Sequence, residues 1–299
     1  MYDAIIVGGS YAGMAAAMPL VRARRKVAII DAGERRNRFA SHAHGVLALD
    51  GKPPGEIAGQ AKAQLLAYPT LSWIEGRVQI AAKQGEHFVV STQAGDHLEA
   101  RRLVLATGVR DQLPPVPGLA ERWGSLVFHC PYCHGYELGG GRVGVLASSE
   151  MSLHQALMLP DWGPTSLFLN GAFEPDEQQL MQLNTRGVAL ERQAVVRLAG
   201  QREAVLTLAD GREETLAGLF VAPVIVQSGD IARQLGCEII EGPIAPAVAT
   251  DEMKQTSVTN VFACGDMARP AGNVTFAMAD GATAGLGVHR SLMFEGLSG

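Results

Sequence analysis

Cysteine is scarce in this chain: it has four cysteines in 299 residues, with no pattern of repeated disulfide staples. Secreted proteins often depend on dense disulfides, so this usage predicts a cytoplasmic protein. Apart from the basic cluster Arg22 to Lys26, no run of lysine or arginine exceeds two, and the net charge is −5. Because nucleic acids and anionic membranes attract basic segments, neither is an expected partner.

Long apolar runs are also missing. The uncharged stretch from Ala4 to Val21 looks like a signal peptide, but it follows Asp3 with no basic segment before it and contains three glycines and a proline. We interpret it as a buried strand, loop and helix rather than a targeting segment. No other stretch is apolar for long enough to cross a bilayer. With 47% hydrophobic residues the chain can form two cores, which predicts two domains.

The chemistry centres on the stretch His129-Cys130-Pro131-Tyr132-Cys133-His134-Gly135-Tyr136-Glu137. The Cys-x-x-Cys spacing lets the two sulfurs close a small ring, which predicts a redox-active disulfide. Pro131 suits the first position of a helical turn, with Cys130 as N-cap and Cys133 at the third position. Both sulfurs would then lie at the positive end of the turn, where a thiolate is favoured. Gly135 is expected to let the turn end early.

Two other interpretations of the cysteine pair are weaker. A zinc site needs about four ligands, and the other cysteines, Cys237 and Cys264, stand alone. His129 and His134 would have to fold back beside the pair, so we predict no bound metal. A structural disulfide fits poorly with the low cysteine content. Cys264 is predicted to be a small core residue, and Cys237 to pack at the end of a helix in the central domain.

A dinucleotide-binding unit is predicted at the N-terminus. Strands are expected over Asp3–Val7 and Lys26–Asp31, with a glycine loop and an alanine-rich helix between them. In such a unit the loop approaches a pyrophosphate at the helix N-terminus, and the acid that ends the second strand binds a ribose hydroxyl. The alternative is a plain strand–turn–helix without a ligand. The candidate cofactor-binding residues are Gly8, Gly9, Ser10, Tyr11, Ala12, Gly13, Asp31 and Ala32, with Ser10 in place of the usual middle glycine.

Further candidates lie in a loop and two glycine turns. Loops as long as the polar one between Gly33 and Gly55 are usually functional. A strand near the C-terminus ends in Gly-Asp, whose carboxylate can accept hydrogen bonds from a ribityl chain. After this turn a helix is expected from Asn273 to Phe294. Between the polar loop and the strand from Arg102, a further strand is expected over residues 71–80. The candidates are Arg36, Asn37 and His44 in the loop, Ala106, Thr107 and Gly108 after the strand from Arg102, and Gly265 and Asp266 in the last turn.

A second nucleotide loop is expected after the cysteine motif but is absent. A strand over residues 143–147, a helix over 150–159 and a strand over 166–169 have the outline of a nicotinamide-binding unit. The turn Ala147–Ser152 has no glycine, and Glu150 puts a negative charge where a pyrophosphate would lie. Asn170–Phe173 offers no arginine for a 2′-phosphate. NADPH is therefore a doubtful cofactor.

Taken together, five motifs resemble those of the thioredoxin-reductase-like pyridine nucleotide–disulfide oxidoreductases, in the same order and over essentially the whole chain. They are Gly8–Gly13, Asp31, Ala106–Gly108, Cys130–Cys133 and Val261–Asp266. The resemblance implies FAD, a homodimer and an α/β fold of two Rossmann-like (FAD/NAD(P)-binding) domains, the central one inserted into the discontinuous FAD domain. The predicted domains are a first FAD-binding segment at 1–113, a central NAD(P)H-like domain with the Cys-x-x-Cys at 114–241, and a second FAD-binding segment at 242–299.

The sequence departs from this family in three places. His134 stands where thioredoxin reductases carry aspartate, the NADPH loop and its arginines are missing, and Asn273-Val274 replaces the usual Arg-Gln near the flavin. Asn273 and Val274 are therefore also cofactor-binding candidates. The cysteine motif, with Arg36-Asn37 and His44-Gly45, resembles a branch that includes the dithiol oxidases of gliotoxin and holomycin biosynthesis. Those enzymes close disulfides in small molecules and pass electrons to oxygen.

The resemblance implies an FAD-dependent dithiol oxidase that forms disulfides in a small molecule or peptide, with oxygen as acceptor and peroxide as product. By family analogy Cys133 lies beside the flavin and Cys130 exchanges with substrate. A base with a pKa near neutrality suits thiol deprotonation, which favours His134 as a catalytic residue. The alternative for His134 is a surface histidine that caps the turn. His129 and Glu137 are weaker candidates, since a hydrogen bond to the turn backbone would explain either.

Two other functions remain open on the sequence alone. One is a reductase of thioredoxin or a similar protein, driven by NADPH or ferredoxin. The other is a non-enzymatic flavoprotein sensor, in which the state of Cys130–Cys133 controls a partner. Turnover separates them from the oxidase, because a sensor reacts once with a dithiol and stops.

Overall fold

The computed structural model describes residues 1–242 and 244–297; residues 243, 298 and 299 of the predicted final segment lie outside the described residues. The α-helices, α1 to α7 in chain order, are Tyr11–Arg22, Pro54–Leu66, Pro131–His134, Ser152–Met158, Glu177–Thr185, Ile231–Gln234 and Val274–Met293. Within the same residues the strands, β1 to β19, are Tyr2–Val7, Val27–Asp31, Leu71–Glu75, Val78–Gln84, His87–Thr92, His97–Leu105, Val109–Gln112, Val127–Phe128, Val143–Leu146, Thr165–Phe168, Ala189–Glu191, Val195–Ala199, Ala204–Leu208, Glu213–Leu216, Gly218–Val221, Val224–Gln227, Ile239–Ile240, Ala247–Val248 and Val261–Ala263.

The chain divides into two compact units. The terminal unit contains Met1–Arg38, Gly55–Arg110 and the chain from Ile225 onward, and the central unit contains Phe39–Pro54 and Asp111–Val224. Each unit has its own parallel sheet. The predicted fold class, an α/β chain with one Rossmann-like unit inserted into a discontinuous one, is confirmed.

The unit boundaries differ from the predicted domain boundaries in two places. The chain returns to the terminal unit at Ile225 rather than at residue 242, because Ile231, Ala232 and Cys237 pack into the core of that unit. The segment Phe39–Pro54 belongs to the central unit, although it lies within the predicted first FAD segment. Both differences arise from contacts between residues that are far apart in the sequence.

The sheet of the terminal unit has strand order β3-β2-β1-β6-β5-β4, with β19 also paired to β6. Strands β1, β2, β3, β6 and β19 run parallel, and β5 pairs antiparallel with both β6 and β4. The ends of β1 and β6 are continuously apolar and buried, as expected for parallel strands covered on both faces. The single strand predicted over residues 71–80 is wrong, because Gly76, with φ +153°, separates β3 from β4.

Helices α1 and α7 of the terminal unit pack closely. A Cβ atom on Gly281 would lie 2.9 Å from the Cβ of Ala15, and one on Gly285 would lie 2.6 Å from Cγ of Pro19. The small residues of both helices therefore let the backbones approach. This packing joins the N-terminal glycine loop to the C-terminal segment, as predicted for a discontinuous cofactor domain.

The parallel sheet of the central unit has the order β11-β10-β9-β15-β8. The predicted strand–helix–strand after the cysteine motif is present as β9, α4 and β10. Beside this sheet, β12, β13 and β14 form an antiparallel meander. Strand β8 is buried and leads within two residues to α3, which positions the cysteine pair at the carboxyl end of a parallel strand. Among the described helices, none is both long and apolar enough to cross a membrane.

Candidate active site

Cys130 and Cys133 are joined in a disulfide across the first turn of α3, with their Cα atoms 5.3 Å apart. Cys130 is the N-cap with extended backbone, Pro131 is the first helical residue, and the N–H of Cys133 donates to the carbonyl of Cys130 at 3.2 Å. The predicted helical positions of both cysteines are confirmed. Proline favours this start because its fixed φ suits the first turn and its missing N–H leaves no donor unpaired.

Gly135 is the C-cap of α3, so this helix ends after four residues, as predicted. Its φ of −67° is helical, and the left-handed residue Gly139, with φ +65°, ends the 3₁₀ turn Tyr136–Leu138 that follows. A Cβ atom on Gly135 would lie 2.6 Å from Cδ1 of Trp162. The indole of Trp162 also meets the ring of Tyr132 edge-on at 5.2 Å. Gly135 therefore lets the cysteine-bearing turn pack against Trp162.

The ring of His134 stacks on Phe128, with centroids 4.5 Å apart and an interplanar angle of 24°. Burial lowers the pKa of His134 to about 4, against a smaller raising effect of Glu137 and with a further lowering by His44. His134 is therefore neutral near pH 7. This pKa is below the near-neutral value expected of a base, because burial disfavours the charged ring. A catalytic role for His134 stays a prediction. His134 is not a surface histidine.

Two neighbouring candidates have contacts other than those expected. The carbonyl of His129 accepts a hydrogen bond from Gln155 Nε2 at 2.6 Å, and its ring Nδ1 lies 3.4 Å from the carbonyl of Val221. Glu137 lies with its Oε1 3.4 Å from Nδ1 of His44. His44, predicted among the cofactor residues, thus lies in the central unit beside the cysteine turn, while Arg36 and Asn37 lie in the terminal unit.

The glycine loop of the terminal unit meets the predicted acid. The N–H of Gly9 donates to Oδ1 of Asp31 at 3.1 Å, and a Cβ on Gly9 would lie 2.6 Å from the Cβ of Asp31. Gly8, with φ +110°, lies so close to the carbonyl of Ala106 that a Cβ would not fit there. The structure therefore brings together Gly8, Gly9, Asp31 and Ala106, which were predicted from three separate segments.

A cleft of about 590 Å³ opens beside this loop, lined by residues that include Gly9, Asp31, Ala32, Arg35 and Trp73. Nε of Arg35 and Nε1 of Trp73 are buried donors without a hydrogen-bond partner in the described part of the chain. Unpaired buried donors are costly unless a ligand satisfies them. Donors beside a glycine loop and an acid fit the adenosine and phosphate groups of FAD. Sequence analysis missed Arg35 and Trp73.

The remaining candidates of the terminal unit form a second group. Nη1 of Arg36 donates to Oδ2 of Asp266 at 2.9 Å, and Nδ2 of Asn37 donates to the hydroxyl of Tyr11 at 3.2 Å. Thr107 donates to the sulfur of Met267, the residue after Asp266, at 3.4 Å. Hydrogen bonds thus connect the loop after β2, the start of α1 and the Gly-Asp turn.

The other predicted cofactor residues have structural positions. Asn273 is the N-cap of α7 and accepts from the N–H of Phe276 at 2.7 Å, and Val274 is the first residue of that helix. Ser10 is the N-cap of α1 without a side-chain capping bond. Ala12 and Gly13 follow within that helix, Gly108 has φ +66°, and Gly265 has φ +71° beside the Cβ of Ala12.

The turn where a second nucleotide loop was expected is closed by its own side chains. The N–H of Ser148 donates to Oγ of Ser152 at 3.1 Å, and the hydroxyl of Ser148 donates to the carbonyl of Ala222 at 2.5 Å. Glu150 accepts a hydrogen bond from Nε2 of Gln179 at 2.6 Å. A backbone donor that a phosphate would use is therefore already paired, and a carboxylate stands in the turn.

The remaining cysteines are buried in the terminal unit. Cys264 is fully buried, and burial raises the pKa of its thiol to about 12, which confirms it as an unreactive core residue. Cys237 follows α6 in the same core. Its predicted place in the central domain is wrong, because α6 lies after the chain has returned to the terminal unit.

Comparison with known families identifies the chain's relatives. The model of the pyridine nucleotide-disulphide oxidoreductases matches residues 2–281. The chain belongs to this family. As a pyridine nucleotide–disulfide oxidoreductase it is a flavin-dependent enzyme that acts on sulfur groups, with a Cys-x-x-Cys disulfide as in thioredoxin-reductase-like members. The family predicted from the sequence motifs is confirmed.

Individual relatives are similar over almost their full length. Thioredoxin reductase sirT from Leptosphaeria maculans is 32% identical over 310 residues, which cover 97% of this chain and 94% of the relative. The crystal structure of an oxidoreductase from Agrobacterium tumefaciens is 53% identical, with a TM-score of 0.94 and coverage of 98% of this chain and 99% of that one. The crystal structure of HlmI is 33% identical, with a TM-score of 0.94 and coverage of 99% and 94%.

Proposed function

We propose that this oxidoreductase is a dithiol oxidase, which forms a disulfide in a small molecule or peptide and passes the electrons to oxygen. The observation that carries the proposal is the closed turn between Ser148 and Ser152 in the central unit. An enzyme of this family that lacks a nicotinamide site needs another electron donor. A dithiol substrate is that donor, because a disulfide lies in the same unit, at Cys130 and Cys133.

The two cysteines perform the exchange. A substrate thiolate attacks Sγ of Cys130, the Cys130–Cys133 bond breaks, and its electron pair goes to Sγ of Cys133. The second substrate thiolate then attacks the substrate sulfur of the mixed disulfide and releases Cys130. The substrate leaves as a disulfide, and its two electrons remain on the reduced cysteine pair. Both cysteines are partly exposed, which permits the attack.

Residues of the terminal unit would hold the cofactor, FAD. When bound, FAD would supply a two-electron acceptor between the cysteine pair and oxygen, with peroxide as product. The glycine loop and Asp31 suit its pyrophosphate and ribose. Arg35 and Trp73 offer buried donors in the adjoining cleft. Asp266, held by Arg36, offers a carboxylate for the ribityl chain.

A reductase of a protein disulfide is the second candidate function. The name of the relative sirT, a thioredoxin reductase, favours it. Such an enzyme runs in the opposite direction and requires NADPH or another donor to reduce the bound flavin. The two functions therefore differ in which compound donates the electrons.

Anaerobic mixing of the FAD-loaded protein with dithiothreitol, NADPH or NADH in separate experiments tests the proposal. We expect the dithiol to bleach the flavin absorbance and both nicotinamides at micromolar concentration to leave it unchanged. Admission of oxygen should then restore the colour, release peroxide and allow continuous turnover. Rapid bleaching by micromolar NADPH would contradict the proposal and support the reductase function. A single reaction with dithiol and no turnover in oxygen would favour a redox sensor.

A further inference from the structure

A histidine and a carboxylate face each other beside the cysteine turn of the central unit. Nδ1 of His44 lies 3.4 Å from Oε1 of Glu137 and 3.5 Å from Oδ2 of Asp50. Glu137 belongs to the 3₁₀ turn Tyr136–Leu138, which follows α3 after one residue. The pair therefore joins the segment Phe39–Pro54 to the turn that carries both cysteines.

The loop around His44 is closed by its own hydrogen bonds. Ala43 and Lys52 form an antiparallel bridge, and the N–H of Gly51 donates to the carbonyl of Ala43 at 2.9 Å. Oδ1 of Asp50 accepts from the N–H of Gly45 at 2.7 Å, and this bond lowers the pKa of Asp50. The side chain of His44 is only 19% exposed. Its ring is therefore held in a defined orientation between two carboxylates.

This orientation decides which ring nitrogen can accept a proton. Both carboxylates face Nδ1, so Nδ1 carries the proton of the neutral ring and Nε2 is the acceptor. A carboxylate at Nδ1 also holds the ring in one tautomer and orientation, as in other histidine–carboxylate pairs. Among the described residues, the titratable groups around His44 include Glu137, Asp50, His134 and His42, whose ring centroid is 6.3 Å away.

His134 is poorly suited to the same task. It is adjacent to Cys133, but its ring is stacked on Phe128 and half-buried, which disfavours the charged form. Proton transfer is most effective when the acceptor titrates near the working pH. Of these two histidines, His44 has the carboxylate partner that a proton acceptor needs.

We propose that the His44–Glu137 pair, rather than His134, handles the thiol proton during exchange at Cys130–Cys133, an inference that rests on the proposed function. His44 takes up the proton that the substrate S–H loses as its sulfur bonds to Cys130. The electron pair of the broken Cys130–Cys133 bond goes to Cys133, and the proton is returned to that thiolate. No oxidant enters this step, and protons and electrons balance. Glu137 is a positioning residue, because it acts through His44.

The test measures exchange alone, without oxygen turnover. The oxidised FAD-loaded protein is mixed with dithiothreitol under anaerobic conditions across a range of pH, and the rate at which Cys130 and Cys133 become reactive thiols is recorded. General acid–base groups contribute at least about 10²-fold, so His44→Asn is expected to slow exchange by roughly that factor. It should also remove the part of the pH profile in which the exchange rate rises as the base loses its proton. His42→Asn, in the same segment, is the matched control and should keep the wild-type profile.

Variants of Glu137 separate a proton-handling role from a structural one. Glu137→Gln should lower the rate and flatten the same part of the pH profile, and Glu137→Asp should partly restore both. The double variant His44→Asn/Glu137→Gln should be no slower than His44→Asn, because the two residues act as a unit. FAD content and melting temperature identify any misfolded variant. If His44→Asn is misfolded, Glu137→Gln provides the measurement, because the Glu137 side chain is 41% exposed.

The outcomes are distinguishable from those of the proposed function. A wild-type rate and pH profile in both His44→Asn and Glu137→Gln would overturn the inference, as would complete loss of this rise in rate with pH in His134→Asn alone. If the wild-type protein exchanges with dithiothreitol but consumes no oxygen, the proposed oxidase function is overturned. The proposed role of the His44–Glu137 pair is then unaffected. Full oxygen turnover, together with a wild-type exchange rate in the His44 and Glu137 variants, would support the oxidase and overturn the role of the pair.

Discussion

A Cβ atom on Gly135 would lie 2.6 Å from Cδ1 of Trp162, so the absence of a side chain lets the cysteine turn pack against this indole. Gly135→Ala is therefore expected to destabilise the central unit. Overpacking of this kind costs about 1–3 kcal/mol. Thermal unfolding of the FAD-loaded protein should show a lower melting temperature, together with slower reaction of the cysteines with dithiol. Tyr136→Ala, which removes a side chain that is 86% exposed, is the matched control. Equal melting temperatures would contradict the packing role.

Asp266 and Arg36 are expected to retain FAD. Asp266→Ala removes an acceptor for a charge-assisted hydrogen bond worth about 1.5–3 kcal/mol, which corresponds to roughly 10- to 100-fold in Kd. Arg36→Met should weaken binding less, because it leaves the Asp266 carboxylate in place and removes its 2.9 Å partner. Titration of the apoprotein with FAD, followed by flavin fluorescence, gives both values. Glu86→Gln, at an exposed turn of the same unit, is the control. Unchanged Kd in both variants would remove these residues from the cofactor site.

The two cysteines of the disulfide should differ in their effects. Cys130→Ser removes the sulfur that meets the substrate, and Cys133→Ser removes the leaving sulfur, so each variant is expected to abolish oxygen consumption with a dithiol. With a monothiol disulfide reagent, Cys133→Ser should accumulate a mixed disulfide at Cys130, seen by mass spectrometry, and Cys130→Ser should form one at Cys133 more slowly. Cys237→Ala, in the core of the terminal unit, should remain active. Wild-type turnover in both active-site variants would make the disulfide structural.

His134 makes stability depend on pH. Burial lowers its pKa from 6.5 to about 4, so the folded protein binds fewer protons than the unfolded chain between these values. Stability is therefore unaffected by this group above about pH 6.5 and falls as the pH is lowered towards 4, by roughly 3 kcal/mol in total. His134→Gln should lose less stability than the wild type between about pH 7 and about pH 5. Urea unfolding at the two pH values measures the difference. His97→Gln, at an exposed position, should behave like the wild type, and an identical pH dependence in His134→Gln would contradict the burial effect.

Much of the candidate site is predictable because its motifs are local. Pro131 after Cys130 predicts the helical turn and the positions of both sulfurs, since proline suits the first helical residue. The glycines before α1 and Asp31 after β2 predict the loop and its acid, because the strand–loop–helix–strand unit has one close-packed geometry. The homodimer, the oxygen acceptor and the cytoplasmic location remain predictions from the family and from composition.

The long-range contacts were not predictable in the same way. Arg35 and Trp73 line the cofactor cleft from different elements, and no motif connects them. The histidine chosen from the sequence was His134, because it adjoins Cys133, but neighbours from the sheet bury it. Adjacency in sequence carries no information on burial, and burial decides the pKa of a histidine.

The disulfide turn and the absence of a second glycine loop can be predicted from sequence because they depend on residues within a few positions of each other. The family and its inserted α/β fold follow from the order of five such local motifs along the chain. Long-range packing, in contrast, places Phe39–Pro54 in the central unit, brings His44 to Glu137 and sets Gly135 against Trp162. These features depend on which distant segments share a sheet and a core, and side-chain contacts across such distances are set by the packing of the whole unit.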